Sequence, residues 1–228
     1  MKGILFTILF ALVFGGGGTF LWLYYGGFHG EDGEAIAFID KYGDYNEIAT
    51  EVEFLVHLPG TENNADRAEL LALLETILTE DITNNKRKTL ARLAFANIDN
   101  LKKEIDAAQI KQAELYEVLQ DLDNSSRQFS SIDLRNRSSD IVTLSRKRAE
   151  IAARITSILS EINEHSYAII TRILSDNGEL TQEHIIAINN ITTDAENRFD
   201  TLEELYNDLI RMKNEIDEAF KEFAAAAL

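Results

Sequence analysis

Three ionisable side chains, Arg148, His165 and Arg172, fall in a row of mainly apolar residues spaced three and four apart. Such a row faces the neighbouring helices of a bundle, so we expect these three groups in the interior of the protein. A histidine titrates near neutral pH, and a buried charge needs a partner. The pattern therefore indicates either a polar layer that fixes helix register or a pH- or ligand-sensitive switch.

The remaining candidates for metal or nucleophilic chemistry do not form known patterns. A di-iron bundle needs Glu-x-x-His pairs, and each of the histidines lacks a glutamate three residues earlier: His29, His57, His165 and His184. Cysteine is absent, which excludes thiolate sites and disulfides. Neither a Gly-x-Ser-x-Gly elbow nor a phosphate-binding loop occurs. We therefore expect no metal, no cofactor and no catalysis, and the sequence identifies no small-molecule ligand.

The chain is strongly acidic, with 22 lysines and arginines against 39 aspartates and glutamates and a net charge of −17. Such a surface repels polyanions, so nucleic-acid binding is excluded as the main function. Two short basic runs, residues 86–88 and 146–148, stand against this charge. We interpret both as solvated helix faces that pair with acidic neighbours.

The N-terminal segment has the properties of a membrane span. Residues 3–25 carry no charge. As a helix they would reach roughly 34 Å, enough for a hydrocarbon core of about 30 Å. Aromatic residues that favour the headgroup layer lie at the far end of the segment: Trp22, Tyr24 and Tyr25. The composition predicts a transmembrane signal-anchor helix over residues 1–26 that contacts membrane lipid.

Charges on either side of this segment predict its orientation. Lys2 precedes it, and three acids follow it: Glu31, Asp32 and Glu34. The positive-inside rule then places the N-terminus in the cytoplasm and the C-terminal bundle outside it, in the periplasm or extracytoplasmic space. Cleavage as a signal peptide is the alternative, and it would yield a secreted helical protein. Either outcome exports the rest of the chain.

Four consecutive glycines interrupt the apolar segment. Gly15 and Thr19 lie four residues apart, and with Gly16 and Gly18 they form a small-residue patch that lets another helix approach closely. In lipid an open backbone costs more than the poor helix propensity of glycine, so we expect an intact helix. The patch predicts helix packing within the membrane, against a protein partner or a second copy of the chain.

The rest of the sequence is typical of an all-α protein. Residues 27–33 form a glycine-rich hinge, and residues 34–82 contain two shorter helices with an acidic flank. Residues 83–228 contain three long antiparallel helices with heptad-like spacing, at about 85–122, 132–176 and 181–226. A serine-rich stretch at 123–131 is read as a turn, with a continuous helix as the alternative. The connection between the second and third long helices is predicted at Gly178, the left-handed C-cap residue, and Thr181 is predicted as the N-cap of the helix that follows.

Together these features predict an N-terminal transmembrane helix followed by an elongated antiparallel helical bundle resembling a coiled coil. The expected protein is single-pass, non-catalytic and anchored in the plasma (inner) membrane. It would act as a structural or protein-interaction subunit of a cell-envelope assembly, or as a homo-oligomer. An extracytoplasmic sensor or ligand-binding bundle is the alternative function.

Replacing Gly15 and Gly16 by leucine is expected to weaken self- or partner association of the N-terminal helix, because two isobutyl side chains would fill the small-residue patch. Association of the full chain in detergent can be followed by Förster energy transfer between labelled copies. Leucine at Phe10 and Val13 is the matched control, since both residues are already apolar and lie outside the patch. Unchanged association in the glycine variant would contradict a packing role for the patch.

Overall fold

The protein is helical throughout the part that the computed structural model describes, residues 32–56, 72–77 and 82–227. These residues are 92 % helical and contain no strand. Their main elements are four helices: α1 (Asp32–Leu55), α2 (Asn84–Ser126), α3 (Ile132–Ser175) and α4 (Gln182–Ala227). Residues 72–77 are a further short helical segment. The predicted all-α helical bundle is therefore confirmed for the described residues.

The predicted N-terminal span lies outside the described residues, together with the residues assigned to it: Gly15, Gly16, Gly18, Thr19, Trp22, Tyr24 and Tyr25. Among the helices that are described, none is both long and apolar enough to cross a membrane. The membrane anchor therefore stays a prediction from the sequence.

A break separates α2 from α3 at residues 127–131, so the chain does not continue as one helix through the serine-rich stretch. Polar contacts build the turn. The hydroxyl of Ser126 donates to the carbonyl oxygen of Asp123 at 2.7 Å, and Nε of Arg135 donates to that of Phe129 at 3.0 Å. Phe129 itself is 1 % exposed. Burial of Phe129, the one aromatic residue of this polar stretch, therefore holds the turn against the core.

The chain divides into two compact units, each with its own core. Of the described residues, the first comprises 32–46, 117–146 and 214–227. Three buried rings, Phe38, Phe129 and Phe223, contact one another with centroids 5.0 to 5.8 Å apart. Tyr42 stacks on Phe220 at 4.3 Å. Aromatic contacts of this kind add to the hydrophobic burial, so the two phenylalanines near the end of α4 fill the core of this unit.

Of the described residues, the second unit comprises 47–56, 72–77, 82–116 and 147–213. It contains two apolar clusters. The first includes Leu74, Ile77, Ile98, Ile170 and Ile188. The second joins Val56, just after α1, to residues of the three long helices: Ile105, Ala108, Ile155, Leu159, Leu202, Leu205, Tyr206 and Leu209. The end of α1 therefore belongs to the core of the bundle, and α1 is not only an acidic flank.

Within the second unit, α2 and α3 run antiparallel. Lys88 near the start of α2 contacts Asn177 just after α3, and Gln112 contacts Thr156. The start of α2 therefore lies beside the end of α3, and later residues of α2 lie beside earlier residues of α3. Contacts of Arg198 with Glu161 and of Glu183 with Arg172 give the same relation between α3 and α4. Short connections enforce this arrangement, because they leave the chain no length to cross over.

The turn from α3 to α4 is a Schellman motif. The N–H of Gly178 donates to the carbonyl of Ile173 at 2.9 Å, and that of Asn177 donates to Leu174 at 3.3 Å. Asn177 (φ 58°) and Gly178 (φ 80°) both have left-handed backbones. The residue at the motif's left-handed C′ position is thus Asn177, one place before the predicted glycine. Thr181 caps α4, because its hydroxyl accepts the N–H of His184 at 3.2 Å.

Replacing Gly178 by alanine is expected to lower the free energy of unfolding by about 1–3 kcal/mol. The left-handed backbone strains any residue with a Cβ, and a Cβ built at this position would lie 2.4 Å from the carbonyl oxygen of Asn84. Urea unfolding followed by circular dichroism measures the change. The matched control is Gly43→Ala in α1, where nothing lies within 4 Å, and that variant should be more stable by about 0.5–1 kcal/mol. Equal effects at both positions would refute the argument.

Candidate functional site

Of the three polar residues predicted to lie inside, only Arg148 does so. Its side chain is 2 % exposed. His165 and Arg172 both lie exposed on the surface of α3, so the interior placement predicted for them is wrong. The hypothesis of a switch based on a buried His165 therefore loses its premise.

The reason is the phase of the buried face of α3, which lies one residue away from the predicted row. Its residues follow one another in alternating steps of four and three, the same period that the sequence prediction assumed: Ser138, Val142, Ser145, Ala149, Ala152, Thr156, Leu159, Asn163, Ser166, Ile170 and Ile173. Many of them are small, so the apolar pattern followed bulkier residues at the edge of this face, such as Ile151 and Ile158, which are partly buried. Arg148 lies beside the face and is buried as well, whereas His165 lies outside it and is exposed.

Arg172 forms an ion pair on the surface instead. Its Nη2 lies 2.6 Å from Oε2 of Glu183, and the two side chains are 57 % and 75 % exposed. Solvent screens such a pair, which contributes at most about 1 kcal/mol. The contact links α3 to α4 without imposing a strong constraint on either helix.

Arg148 forms a buried ion pair with Glu53 of α1. Its Nε lies 2.5 Å from Oε1 of the glutamate, whose side chain is 6 % exposed. Taking two charges out of water costs several kcal/mol each, and close pairing offsets that cost only while both partners stay in place. The pair therefore selects one packing arrangement of α1 on α3 in the second unit. No pattern in the sequence pointed to Glu53, because it lies next to an apolar row and resembles a surface residue.

A neutral polar group joins α2 to α3 in the same unit. The side-chain amide of buried Gln112 donates to the carbonyl oxygen of Ala152 at 3.2 Å and to the hydroxyl of Thr156 at 2.5 Å. That hydroxyl in turn donates to Ala152 at 3.0 Å. A buried amide costs little when it is bonded in this way, so the network fixes the register of the two helices.

Lys111, next to Gln112 on α2, bridges two acidic residues at the surface. Its ammonium lies 2.8 Å from Glu114 and 3.0 Å from Glu51 of α1. Hydrogen bonds to Glu114 and then to Glu51 raise the pKa of Lys111 above its usual value. The ammonium is therefore retained at any physiological pH, and α1 keeps a second charged contact with the long helices.

Arg87 is a buried cation that the sequence interpretation placed on a solvated face, and that placement is wrong. The residue is 4 % exposed. Its guanidinium donates to the carbonyl oxygens of Ile77 at 3.0 Å, Gly178 at 3.3 Å and Ile82 at 3.4 Å, and to Asn84 Oδ1 at 3.2 Å. The sequence contains one signal for this. Arg87 lies in the first turn of α2, where the positive end of the helix disfavours a cation and no acidic residue is present to pair with it. The guanidinium therefore needs acceptors from elsewhere in the chain.

His184 is the buried histidine of the described residues, with 1 % exposure. Its Nδ1 lies 3.3 Å from the backbone nitrogen of Thr181 and 3.1 Å from the carbonyl oxygen of Glu179. Its Nε2 lies 3.0 Å from a carboxylate oxygen of Asp176. In the tautomer that carries its proton on Nε2, Nδ1 accepts from the N–H of Thr181, which completes a reciprocal helix cap with histidine in the place usually taken by glutamate.

The chemistry of these groups is pairing between helices. Most charges and amides of the interior meet partners on other helices or on backbone carbonyls. Two buried oxygens are exceptions, because the hydroxyl of Ser145 and Oδ1 of Asn163 have no hydrogen-bond partner within the described residues. In the same part of the chain, no cluster of histidine, aspartate and glutamate side chains is arranged to hold a metal ion.

Comparison with known proteins identifies no relative: no family model, no curated protein and no solved structure matches the chain.

Removing one partner of the buried ion pair, in Glu53→Leu or Arg148→Met, is expected to cost about 3–5 kcal/mol, because the other charge stays buried. The double variant should recover most of this loss, since two apolar side chains of similar size carry no desolvation penalty. Urea unfolding of all four proteins gives the coupling energy.

Arg172→Met is the control for loss of an arginine on the same helix, and it should cost less than about 1 kcal/mol. If Arg148→Met costs no more than this control, the buried pair does not constrain the packing of α1.

Proposed function

We propose that the chain is a membrane-anchored, non-catalytic protein whose helical bundle lies outside the cytoplasm and serves as a structural or interaction subunit of a cell-envelope assembly. The uncharged residues 3–25, with Lys2 before them and acids after them, support the anchor and its orientation. The proposal places the bundle close to the membrane, because α1 begins at Asp32, soon after this segment.

The observation that carries the scaffold role is the use of the interior polar groups. Glu53 binds Arg148, Gln112 binds Thr156, and Arg87 binds backbone carbonyls. Buried polar side chains that pair in this way favour one fixed arrangement of helices, because any other arrangement would leave them without partners. Their desolvation lowers the stability of the fold to some extent. A fixed arrangement suits a protein that presents a surface to partners in the membrane or the envelope.

One observation favours a second candidate function, an extracytoplasmic sensor or ligand-binding bundle. The unsatisfied Oδ1 of Asn163 is a buried acceptor, and a buried acceptor without a partner is costly. A small polar molecule or a water that donates to it would remove that cost. A secreted protein, produced by cleavage after the apolar segment, would use the same bundle without the anchor.

Topology is tested with a reporter at Leu228 that is active only outside the cytoplasm, fused to the full chain. We expect activity, together with a chain that stays in the membrane fraction after alkaline washing. The matched variant Glu31→Lys with Asp32→Lys should reduce reporter activity, because it reverses the charge difference across the segment. Activity of a reporter that works only in the cytoplasm would refute the exported placement, and a chain shortened at its N-terminus would favour secretion.

Light scattering of the full chain in detergent separates the two functions. Concentration-dependent oligomers would support the assembly role. A monomer whose melting temperature rises with a small polar molecule, in the wild type but not in Asn163→Leu, would favour the sensor.

A further inference from the structure

The turn between α3 and α4 contains Asn177–Gly178, the one Asn-Gly dipeptide of the sequence. In such a pair the backbone nitrogen of glycine can approach the amide carbon of the asparagine side chain, because glycine has no Cβ in the way. We propose that Asn177 is a site of spontaneous deamidation, and that the folded turn holds the reaction back until the turn opens. This proposal is independent of the proposed function.

The reaction needs water and no oxidant or reductant. The deprotonated backbone nitrogen of Gly178 attacks Cγ of Asn177. The bond from Cγ to the side-chain nitrogen breaks, and that NH2 group leaves as ammonia after taking up one proton from solvent, which balances the proton that the backbone nitrogen gave up. A cyclic succinimide remains. Water then opens it at one of its two carbonyls, which gives either aspartate or an isoaspartyl linkage, in which the main chain runs through the former side-chain carbon.

The folded turn restrains the nucleophile. The N–H of Gly178 donates to the carbonyl of Ile173 at 2.9 Å, so the proton that must be removed is held within the Schellman motif. The carbonyl of the same glycine accepts from Arg87 at 3.3 Å. Gly178 is buried, and its Cα faces the backbone of Asn84 without space even for a methyl group. Rotation of this nitrogen towards Asn177 therefore requires the turn to open.

The electrophile is, by contrast, already polarised. Asn177 is exposed, and the ammonium of Lys88 donates to its Oδ1 at 2.5 Å. Negative charge develops on this oxygen when the nucleophile adds, and a nearby ammonium stabilises it. The two effects oppose each other. The restraint on Gly178 decides the outcome, because a polarised carbonyl cannot react with a nitrogen that does not reach it.

The two products differ in what the turn can rebuild. An aspartate at position 177 keeps the backbone intact and places a carboxylate beside Lys88, so the contact becomes an ion pair. An isoaspartyl linkage adds a carbon to the main chain between the N–H groups that bond to Leu174 and Ile173. Both bonds cannot then form with their present geometry. Formation of isoaspartate would thus open the α3–α4 turn irreversibly.

The test compares the full chain in native buffer and in concentrated urea at mildly alkaline pH, with peptide mapping by mass spectrometry and enzymatic labelling of isoaspartate. We expect deamidation of Asn177 to be at least about tenfold slower in the folded protein than in urea, as for a reaction that requires local opening. Asn124, followed by Ser125 within α2, is the internal control and should react more slowly than Asn177 in urea. Equal rates at Asn177 in both buffers would overturn the proposal, and so would its absence in urea.

Variants separate restraint from mere exposure. Arg87→Ala removes the donor to Gly178 and should speed both hydrogen exchange of the Gly178 amide and deamidation of Asn177 severalfold. Arg172→Ala, which removes an exposed arginine of α3, should change neither rate. Faster exchange without faster deamidation would refute the proposal. Gly178→Ala should suppress the reaction even in urea, where folding plays no part, and an unchanged rate there would contradict the role of the glycine nitrogen.

Discussion

The buried ion pair between Arg148 and Glu53 is the interaction on which the packing of the second unit depends. Neither charge tolerates loss of the other, because both side chains are almost completely removed from water. α1 can therefore pack on α3 in this unit only in the register that brings Glu53 to Arg148. Apolar contacts of Val56 with the long helices stabilise this arrangement, but such contacts would tolerate more than one register.

At the ends of the helices, buried polar side chains likewise depend on specific partners. Arg87, Thr181 and His184 are engaged with backbone groups that no helix can satisfy internally. Arg87 does this for carbonyls of three separate stretches of chain, which makes the start of α2 and the α3–α4 turn parts of one hydrogen-bonded structure. Such a site stabilises the turn and, by the same contacts, restrains the chemistry of Asn177. The structural and chemical roles of this turn have one physical cause.

Helix content and the apolar rows could be read from the sequence because they depend on local spacing. The buried row from Leu202 to Phe223 on α4 has the heptad-like spacing that the sequence predicted for this helix. On α3 the same reasoning placed the row one residue away from the buried face, because small residues occupy that face and bulkier apolar residues line its edge. His165 was misplaced for this reason.

The sequence by itself determined that the described chain is helical, where its breaks fall and that its surface is acidic, because these follow from propensity, turn residues and composition. Only the tertiary structure decided which polar residues are inside. Glu53, Arg87 and His184 acquire their partners from residues that are distant in sequence or from groups at helix ends. A polar side chain is buried when such a partner offsets its desolvation, and that condition depends on three-dimensional packing and not on spacing along the chain.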